Sequence, residues 1–321
     1  MRARRALALL LCLGLLALAL AGCGNGGGST ATDDVKLSVV ATIFPVWDWT
    51  RNVLGDDPAG PELRLLLSDG VDMHSFQPGV EDLVTISSCD LLIYVGGESD
   101  QWIEDALAES VNPNQRALSL LEVLGDSALA EELREGMQGE ADGAPDEHIW
   151  LSPRFAETLT GAIAEALSAL DPARSEVYRA NAETYQAELV PLAERCAAIA
   201  GSPGGCLLVA DRFPFRYLTE DCGLDYYAAF SGCSAETGAS FETVTFLAER
   251  LEALGLRAVC VTESPVPGVA EAVLRAAGDA RAEIVTLDSL QSVTREQIAA
   301  GTTYAAVMEG NLDVIERIVW R

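Results

Sequence analysis

Two histidines carry most of the chemical information in this chain of 321 residues, because the chain has no others. His74 lies in the segment VDMHSFQP at residues 71–78, and His148 lies in DEHIWLSP at residues 146–153. Each stands close to carboxylates in a segment that ends in proline. Neutral imidazole is the commonest side-chain ligand for borderline divalent ions. The two segments therefore suggest a metal site, although two ordinary, partly buried histidines would show the same residue types.

Carboxylates that could complete such a site follow predicted strands in the second half of the chain. They are Asp211, Glu263 and Asp288, which come after predicted strands at 206–210, 258–262 and 283–287. In sheets built from alternating strands and helices, ligands gather beyond the carboxyl ends of the strands. Two imidazoles with one or two carboxylates would suit Zn²⁺ or Mn²⁺. An aspartate after a strand also commonly caps a helix or stabilises a loop, so position alone does not decide its role.

The elements that must position these residues alternate between strands and helices in both halves of the chain. In the first half, strands are predicted at 35–41, 62–67 and 90–95. In the second half, a further strand is predicted at 225–230, and helices near 214–221, 240–254, 267–277 and 303–320 separate or close the strands. This alternation is typical of parallel βαβ units.

Between the two halves, the sequence predicts one long helix. Asp171 followed by Pro172 is a strong helix start signal, and the glycine-rich segment from Gly201 ends the pattern. Apolar residues spaced by threes, fours and sevens give one buried face to nearly thirty residues. The predicted fold class is therefore α/β, with two βα lobes of mainly parallel sheets joined by one long rigid helix.

The first 23 residues are typical of an export signal. Three arginines precede an apolar run at 6–20, which ends in Leu-Ala-Gly-Cys at Cys23. This pattern favours a bacterial lipoprotein signal with Cys23 as the lipidated residue, rather than an ordinary secretory signal with an incidental cysteine. The predicted organisation of the chain comprises a signal peptide at 1–23, a flexible tether at 24–34, an N-terminal lobe at 35–170, the long helix at 171–201 and a C-terminal lobe at 202–321.

The charge of the chain excludes some classes of partner. With 49 Asp and Glu against 21 Lys and Arg, the formal net charge is −28. Such a field disfavours nucleic acid and anionic lipid headgroups and favours cations. Residues 125–147 are rich in acids and glycine, and this composition predicts a mobile surface segment.

Six cysteines remain once Cys12 and Cys23 are assigned to the signal. They are Cys89, Cys196, Cys206, Cys222, Cys233 and Cys260. An exported chain can oxidise such cysteines. Cys196 with Cys206, and Cys222 with Cys233, are close enough in sequence to pair, but connectivity cannot be deduced from sequence. Because the chain has no CxxC pair, structural disulfides or buried thiols are predicted in preference to a zinc–thiolate cluster.

Taken together, these segments resemble the zinc/manganese substrate-binding lipoproteins of ABC transporters, the cluster A-I type. Residues 73–78 (MHSFQP) resemble the first ligand motif of that family, and residues 146–153 resemble its second, which is the most specific piece. Residues 100–102 (DQW), 286–290 (TLDSL) and 304–320 resemble three further family segments. The resemblance covers essentially the whole chain after the signal and implies a metal ion held between two lobes.

The resemblance implies ligands at His74, His148 and Asp288, but it departs from the family at the third ligand. The family usually offers a His or Glu just after the first strand of the second lobe. Alignment here places Arg212 or Ala210 at that position, and neither side chain can bind a metal ion. Asp211, between them, is the residue able to act as a ligand, with Glu236 and Glu263 as fallbacks. Fewer imidazoles and more oxygen ligands weaken the case for Zn²⁺ over Mn²⁺.

The implied function is capture of Zn²⁺ or Mn²⁺ as transported cargo on the extracytoplasmic side of the cell membrane. The cargo would pass to an ABC permease, with the protein held at the membrane by lipid on Cys23. The alternative is a metal-dependent hydrolase that uses the same His/carboxylate site. No HExxH segment or separate general base supports that alternative, so the chain is predicted not to be an enzyme. A binding protein for an organic solute, or an adhesin, is a third reading that the clustered metal-ligand residues disfavour.

Overall fold

In a computed structural model of the protein, two four-stranded parallel sheets form the centres of two lobes, with strand orders β2-β1-β3-β4 and β6-β5-β7-β8. The structure describes residues 36–139, 143–201, 205–234, 238–278 and 281–319. The first sheet consists of β1 Ser38–Ala41, β2 Glu62–Leu65, β3 Leu91–Tyr94 and β4 Arg116–Ser119. The second consists of β5 Cys206–Arg212, β6 Asp225–Phe230, β7 Ala258–Val261 and β8 Glu283–Thr286. The predicted signal peptide, the tether and Cys23 lie outside the described residues.

Helices cover the sheets and connect their strands. In the first half these are α1 Phe44–Leu54, α2 Val80–Ser88, α3 Trp102–Ala108, α4 Leu120–Leu124 and α5 Pro153–Leu170. They are followed by α6 Ser175–Ala200, α7 Arg216–Asp221, α8 Phe241–Ala253, α9 Val269–Ala277, α10 Arg295–Ala299 and α11 Tyr304–Val319. Within the described residues, no helix is both long and apolar enough to cross a membrane.

The inner strands are apolar on both faces because helices pack on each side of both sheets. All four residues of β7 are buried, and in β1 and β3 three of four are buried. Such continuous apolar runs are typical of parallel strands covered on both faces. This pattern, together with the helix periodicity, is why the two-lobe α/β fold could be predicted, and the structure confirms that fold class.

The long helix predicted between the lobes is α6, which contains 26 residues. It begins after a 3-10 turn at Pro172–Arg174, at the Asp-Pro start signal, and buries the apolar face that its spacing predicts. It packs along α5 and also contacts α1 and α11. Helices from both halves of the chain therefore pack against this one long helix. The exact domain boundaries stay a prediction.

The acidic segment at 125–147 is packed where the structure describes it, which differs from the mobile surface segment predicted above. The backbone N–H of Gln138 donates to the carbonyl of Ala229 at 2.8 Å, and Ser231 N donates to the carbonyl of Gln138 at 2.9 Å. Arg134 forms an ion pair with Asp225 at the start of β6. The composition of the segment predicted mobility wrongly, because the residues that hold it in place are distant in the sequence and composition does not reveal them.

All six cysteines are thiols in the structure, and four of them are buried. Neither pair that is close in sequence is bonded. The Cys222 thiol instead lies against Cys196, which is on α6. The prediction of buried thiols thus fits the structure for most of the cysteines, and Cys233 has a different environment that is described below.

Candidate metal centre

His74 is positioned by a short 3-10 turn, Met73–Ser75, on the loop that follows β2. Asp72 caps this turn, because its Oδ1 accepts the backbone N–H of His74 at 3.0 Å. The imidazole Nδ1 lies 2.8 Å from the hydroxyl oxygen of Ser99. With Nδ1 engaged by Ser99, the ring nitrogen left for a ligand is Nε2.

His148 is positioned by the carboxylate of Asp146. Oδ1 of Asp146 accepts the backbone N–H of His148 at 2.9 Å and lies 2.8 Å from its Nδ1. The residue is completely buried and precedes a 3-10 turn, Ile149–Leu151, that leads into α5. When Nδ1–H donates to the carboxylate, the lone pair of the neutral ring is on Nε2. A carboxylate that orients a histidine in this way is the usual outer partner of a metal ligand.

The two histidines converge on one point. Nε2 of His74 and Nε2 of His148 are 3.1 Å apart, and their ring centroids are 5.0 Å apart. In a tetrahedral zinc site with Zn–N bonds of about 2.0–2.1 Å, two nitrogen ligands are about 3.3 Å apart. The observed separation is therefore close to that of a pair that grips one ion. The structure thus brings together the two residues on which the metal hypothesis depends.

The side-chain amide of Gln291, from the loop after β8, faces both imidazoles. Its Nε2 is 2.9 Å from Nε2 of His74 and 3.1 Å from Nε2 of His148. The two N–H donors of the amide can satisfy the two imidazole lone pairs. Turned by 180° about its terminal bond, the same amide would present Oε1 to an ion at that point. Sequence reasoning missed Gln291, because a glutamine in a loop carries no metal-ligand signal.

The carboxylates predicted as ligands lie in other surroundings. Asp211 accepts hydrogen bonds from Thr262 N at 3.0 Å and Thr262 Oγ1 at 2.7 Å. Glu263 accepts from Ser289 N and Ser289 Oγ, both at 2.8 Å. Both carboxylates therefore hold the loops that follow the strands of the second sheet.

Asp288 is three residues before Gln291 on the same loop, and its Oδ1 accepts the backbone N–H of Leu290 at 2.8 Å. Burial, with the nearby charge of Glu263, raises the pKa of the Asp288 carboxyl to about 6. The roles predicted for Asp211, Glu263 and Asp288 as ligands stay predictions, and Glu236 lies outside the described residues.

Arg212 occupies the position where the sequence lacks the third ligand of the family. Its Nη1 donates to Oδ2 of Asp72 at 2.8 Å, so a residue at the end of β5 reaches the turn that carries His74. This ion pair is largely shielded from solvent, with 23% and 21% of the two side chains exposed. Arg212 therefore fixes the histidine turn from the second lobe instead of binding the ion.

Cys233, on the loop after β6, lies beside the two histidines. Among the described His, Cys, Asp and Glu residues, the group that could hold a metal ion is His74, His148 and Cys233. One ligand atom from each of the three lies within 4.8 Å of the other two. Because the sequence has no CxxC pair, it predicts no zinc–thiolate cluster. The structure shows a single cysteine next to the imidazoles, which no local motif signals.

The electrostatics of the histidine pair suit a cation. Burial, together with positive charge on His148, lowers the pKa of His74 to about 3, so His74 is neutral at pH 7. Burial also disfavours the imidazolium of His148, but the bonded Asp146 carboxylate outweighs burial, and the pKa of His148 is raised. A proton and a metal ion therefore compete for the Nε2 of His148, and lower pH favours the proton.

Buried acids surround the pair without being fully paired. Oε1 of Glu147 accepts Ser99 N at 2.7 Å, whereas Oε2 has no hydrogen-bond partner among the described residues and lies 3.7 Å from Nδ1 of His74. Oε1 of Glu131 is likewise buried and without a hydrogen-bond partner in the described part of the chain. Buried unpaired carboxylate oxygens are costly, and a cation nearby would offset that cost. The arrangement therefore fits a dication better than a neutral solute.

Each histidine segment also carries an aromatic residue, Phe76 in the first and Trp150 in the second. The Trp150 ring is 5.2 Å from that of His148, and the Phe76 ring packs against Trp102 at 5.6 Å. Trp150 is buried, and its indole Nε1 donates to the carbonyl of Ser289 at 2.8 Å. The buried Trp150 ring therefore shields one side of the His148 imidazole from water.

Comparison with known proteins identifies the family. Residues 39–318 match the profile of the family described as zinc-uptake complex component A, periplasmic, or ZnuA. The chain belongs to the ZnuA family. This membership confirms the predicted resemblance to metal-binding ABC transporter lipoproteins and the prediction that the chain is not an enzyme.

Several relatives and solved structures of ZnuA type are similar to the chain. The zinc-binding lipoprotein AdcA of Streptococcus pneumoniae is 27% identical over 290 residues, which are 88% of this chain and 56% of AdcA. The high-affinity zinc uptake system protein ZnuA of Bacillus subtilis is 24% identical over 284 residues, with 88% of this chain and 87% of that protein covered. The chain thus spans about half the length of AdcA but most of the Bacillus protein.

Among solved structures, the Zn(II)-bound ZnuA-like domain of Streptococcus pneumoniae AdcA superposes with a TM-score of 0.71 at 26% identity. That comparison covers 89% of this chain and all of the domain. The zinc-binding protein TroA of Treponema pallidum superposes with a TM-score of 0.72 at 22% identity, and it supports the fold alone.

Proposed function

We propose that this protein captures a divalent transition metal ion outside the cytoplasm and delivers it to an ABC permease. The observation that carries the proposal is the 3.1 Å separation of Nε2 in His74 and His148, each with its Nδ1 engaged by another side chain. Both rings thus direct a lone pair at one point, as two ligands of one ion do. No turnover is required of such a site.

We infer that the ion is held in a cleft between the two lobes. His74 and His148 come from loops of the first half of the chain, whereas Gln291 comes from the loop after β8 in the second sheet. An ion at this point would bridge both halves. Release of the ion to a permease would then require the Gln291 loop of the second lobe to move a small distance away from the two histidines of the first lobe.

We infer that Zn²⁺ is the cargo in preference to Mn²⁺. Two imidazoles in a site without a saturated carboxylate shell suit Zn²⁺, whereas Mn²⁺ prefers oxygen ligands. The names of AdcA and of the Bacillus relative refer to zinc, and the similar AdcA domain was solved with Zn(II). Because His74 and His148 are the two histidines of the sequence, both imidazole ligands are expected to come from this pair.

Direct titration of the purified protein tests this function. One Zn²⁺ per chain is expected to bind, and Mn²⁺ at equal concentration should not displace it. Affinity should fall as pH decreases, because protonation of His148 competes with the ion. Isothermal calorimetry at two pH values, with elemental analysis of protein purified under native metal supply, measures each point. A protein that binds neither ion would contradict the proposal.

We propose that lipid on Cys23 holds the protein at the extracytoplasmic face of the cell membrane, next to its permease. The apolar run before Cys23 and the glycine-rich residues after it support this location, and the pneumococcal relative is named a lipoprotein. Cys23→Ser is expected to move the protein from the membrane fraction to the soluble fraction after cell fractionation, because the thioether to the lipid cannot form. Membrane retention of the serine variant would refute the anchor.

A further inference from the structure

The loop after β6 is built to lie directly against His148. At Gly232, an added Cβ would be 2.7 Å from Cε1 of His148 and 3.0 Å from the carbonyl oxygen of Phe213. A side chain at this position would collide with the imidazole, so glycine is required for the close approach. The next residue is Cys233, and its place beside the two histidines follows from this packing.

We propose that Cys233 binds the cargo ion through its sulfur, as a third protein ligand beside His74 and His148. The inference rests on the proposed function, since it concerns the same ion, and it changes the chemical character of the site from His/carboxylate to His₂Cys. It also accounts for the missing third ligand of the second lobe by a residue from a different loop.

Two polar groups at the end of β5 are committed to neighbours. Arg212, at the expected ligand position, is paired with Asp72 at 2.8 Å. Both carboxylate oxygens of Asp211 accept hydrogen bonds, Oδ2 from Thr262 and Oδ1 from the backbone N–H of Val266 at 3.2 Å. The sulfur of Cys233, by contrast, lies within 4.8 Å of a ring nitrogen of each histidine. The second lobe therefore offers the ion a thiol from the loop after β6, in place of the His or Glu that the family is expected to offer after its first strand.

The geometry allows a tetrahedral centre with little rearrangement. With Zn–S of about 2.3 Å and Zn–N of about 2.0–2.1 Å, sulfur and nitrogen ligands are about 3.6 Å apart. The ligand atoms of His74, His148 and Cys233 are within 4.8 Å of one another before any ion is bound. Rotation of the side chains that moves the ligand atoms by about 1 Å would bring them to the separation expected around a bound ion. Gln291 or a water molecule can take the fourth position.

The charges around the sulfur favour a cation as its partner. Burial raises the pKa of the Cys233 thiol, and the carboxylates of Glu131, Glu147 and Asp146 raise it further. Without an ion, Cys233 is thus a neutral thiol, which is resistant to oxidation because the thiolate is the reactive form. A bound ion replaces the thiol proton, which leaves to solvent, and the resulting thiolate is stabilised by the metal charge. Soft sulfur favours Zn²⁺ over Mn²⁺.

X-ray absorption at the zinc edge tests the proposal on the intact zinc-loaded protein. The expected spectrum contains a sulfur scatterer at about 2.3 Å in addition to nitrogen and oxygen at about 2.0–2.2 Å. Cys233→Ser should lose the sulfur scatterer and bind zinc more weakly by about 100-fold or more. Loss of an outer partner of a metal ligand costs about 10- to 100-fold in affinity, and loss of the ligand itself should cost more. Mn²⁺ affinity should change less, so the preference for zinc should decrease.

Cys206→Ser is the matched control, because Cys206 is also partly buried but lies at the start of β5 and outside the ligand group. It should retain both the sulfur scatterer and the zinc affinity. Cys233→Ala is the second variant, and circular dichroism establishes that each variant is folded. Sulfur absorption by cobalt-loaded protein in the near ultraviolet gives an independent readout.

Three outcomes separate the two proposals. One zinc ion with only nitrogen and oxygen scatterers, and unchanged affinity in Cys233→Ser, would overturn the role of Cys233 while the capture function stands. A sulfur scatterer that persists in Cys233→Ser would assign the sulfur to another residue and overturn the inference too. Wild-type protein that binds no zinc would overturn the capture function itself.

Discussion

Replacement of His148 by alanine is expected to weaken zinc binding by about 100- to 1000-fold. The whole binding free energy of a structural zinc site is about 10–16 kcal/mol, so one of about four ligands contributes about 2.5–4 kcal/mol. The estimate applies to His148 because its ring is completely buried and Asp146 fixes its orientation from the opposite side. No other histidine than His74 is present to take its place. Competition with a chelating dye of known affinity measures the loss.

Graded variants make this result specific. His74→Ala should cause a loss of the same order, since the two Nε2 atoms are equivalent as ligands. Asp146→Asn keeps the volume and changes only the orienting group, so a smaller loss of about 10- to 100-fold is expected. Equal zinc affinity for His148→Ala and the wild type would remove His148 from the site, and a larger effect from Asp146→Asn than from His148→Ala would reverse their roles.

Much of the fold could be predicted because local signals and tertiary packing agree. Helix α8 spans Phe241–Ala253, within the predicted 240–254, and β6 spans Asp225–Phe230 as predicted. Strand β4 was missed because three of its four residues are partly or fully exposed, which leaves no apolar run. Helix α4 has five residues, too few for a period to be recognised.

The site was predictable to the extent that its residues belong to sequence motifs. His74 and His148 each stand in a local segment of characteristic composition, and the structure brings them to 3.1 Å. Gln291 and Cys233 belong to no motif, and only the packing of distant loops places them there. The tight contact at Gly232, which brings Cys233 to His148, is an interaction across 84 positions that no local pattern records.

The predicted acid ligands show the reverse difficulty. Asp211 is the last residue but one of β5, and Glu263 comes two residues after β7, so both start at the edge where ligands gather in parallel sheets. Their carboxylates are nevertheless hydrogen-bonded to the adjacent loops, through Thr262 and Ser289. Position relative to a strand specifies where a side chain starts, whereas the donors that surround it decide what the side chain binds.

Trp150 connects the His148 turn to the second lobe. Its indole Nε1 donates to the carbonyl of Ser289, two residues before Gln291, and its own carbonyl accepts the hydroxyl of Tyr304 at 2.8 Å. The ring is also a neighbour of the His148 imidazole. One residue therefore joins a ligand and the loop that faces it through its side chain, and the first residue of α11 through its backbone carbonyl.

Trp150→Ala is expected to lower the free energy of unfolding by about 3–5 kcal/mol, the usual cost of truncating a buried aromatic residue, and to weaken zinc binding as well. The second effect arises because the loop that carries Gln291 loses its hydrogen bond to the His148 turn. Trp150→Phe keeps an aromatic ring but removes the donor and part of the ring volume; the unpaired Ser289 carbonyl alone is expected to lower the free energy of unfolding by about 1–3 kcal/mol. Urea unfolding of the metal-free protein and zinc titration measure the two effects separately.

Trp49→Ala is the matched control for this coupling. Trp49 is also completely buried, but its ring packs edge-on against Tyr304 at 5.1 Å. Its truncation should cost a similar free energy of unfolding and leave zinc affinity close to that of the wild type. If both tryptophan variants weakened zinc binding equally, the effect of Trp150 would be one of general stability. A loss of affinity confined to Trp150→Ala and Trp150→Phe would show that this indole transmits the position of the second lobe to the histidine pair.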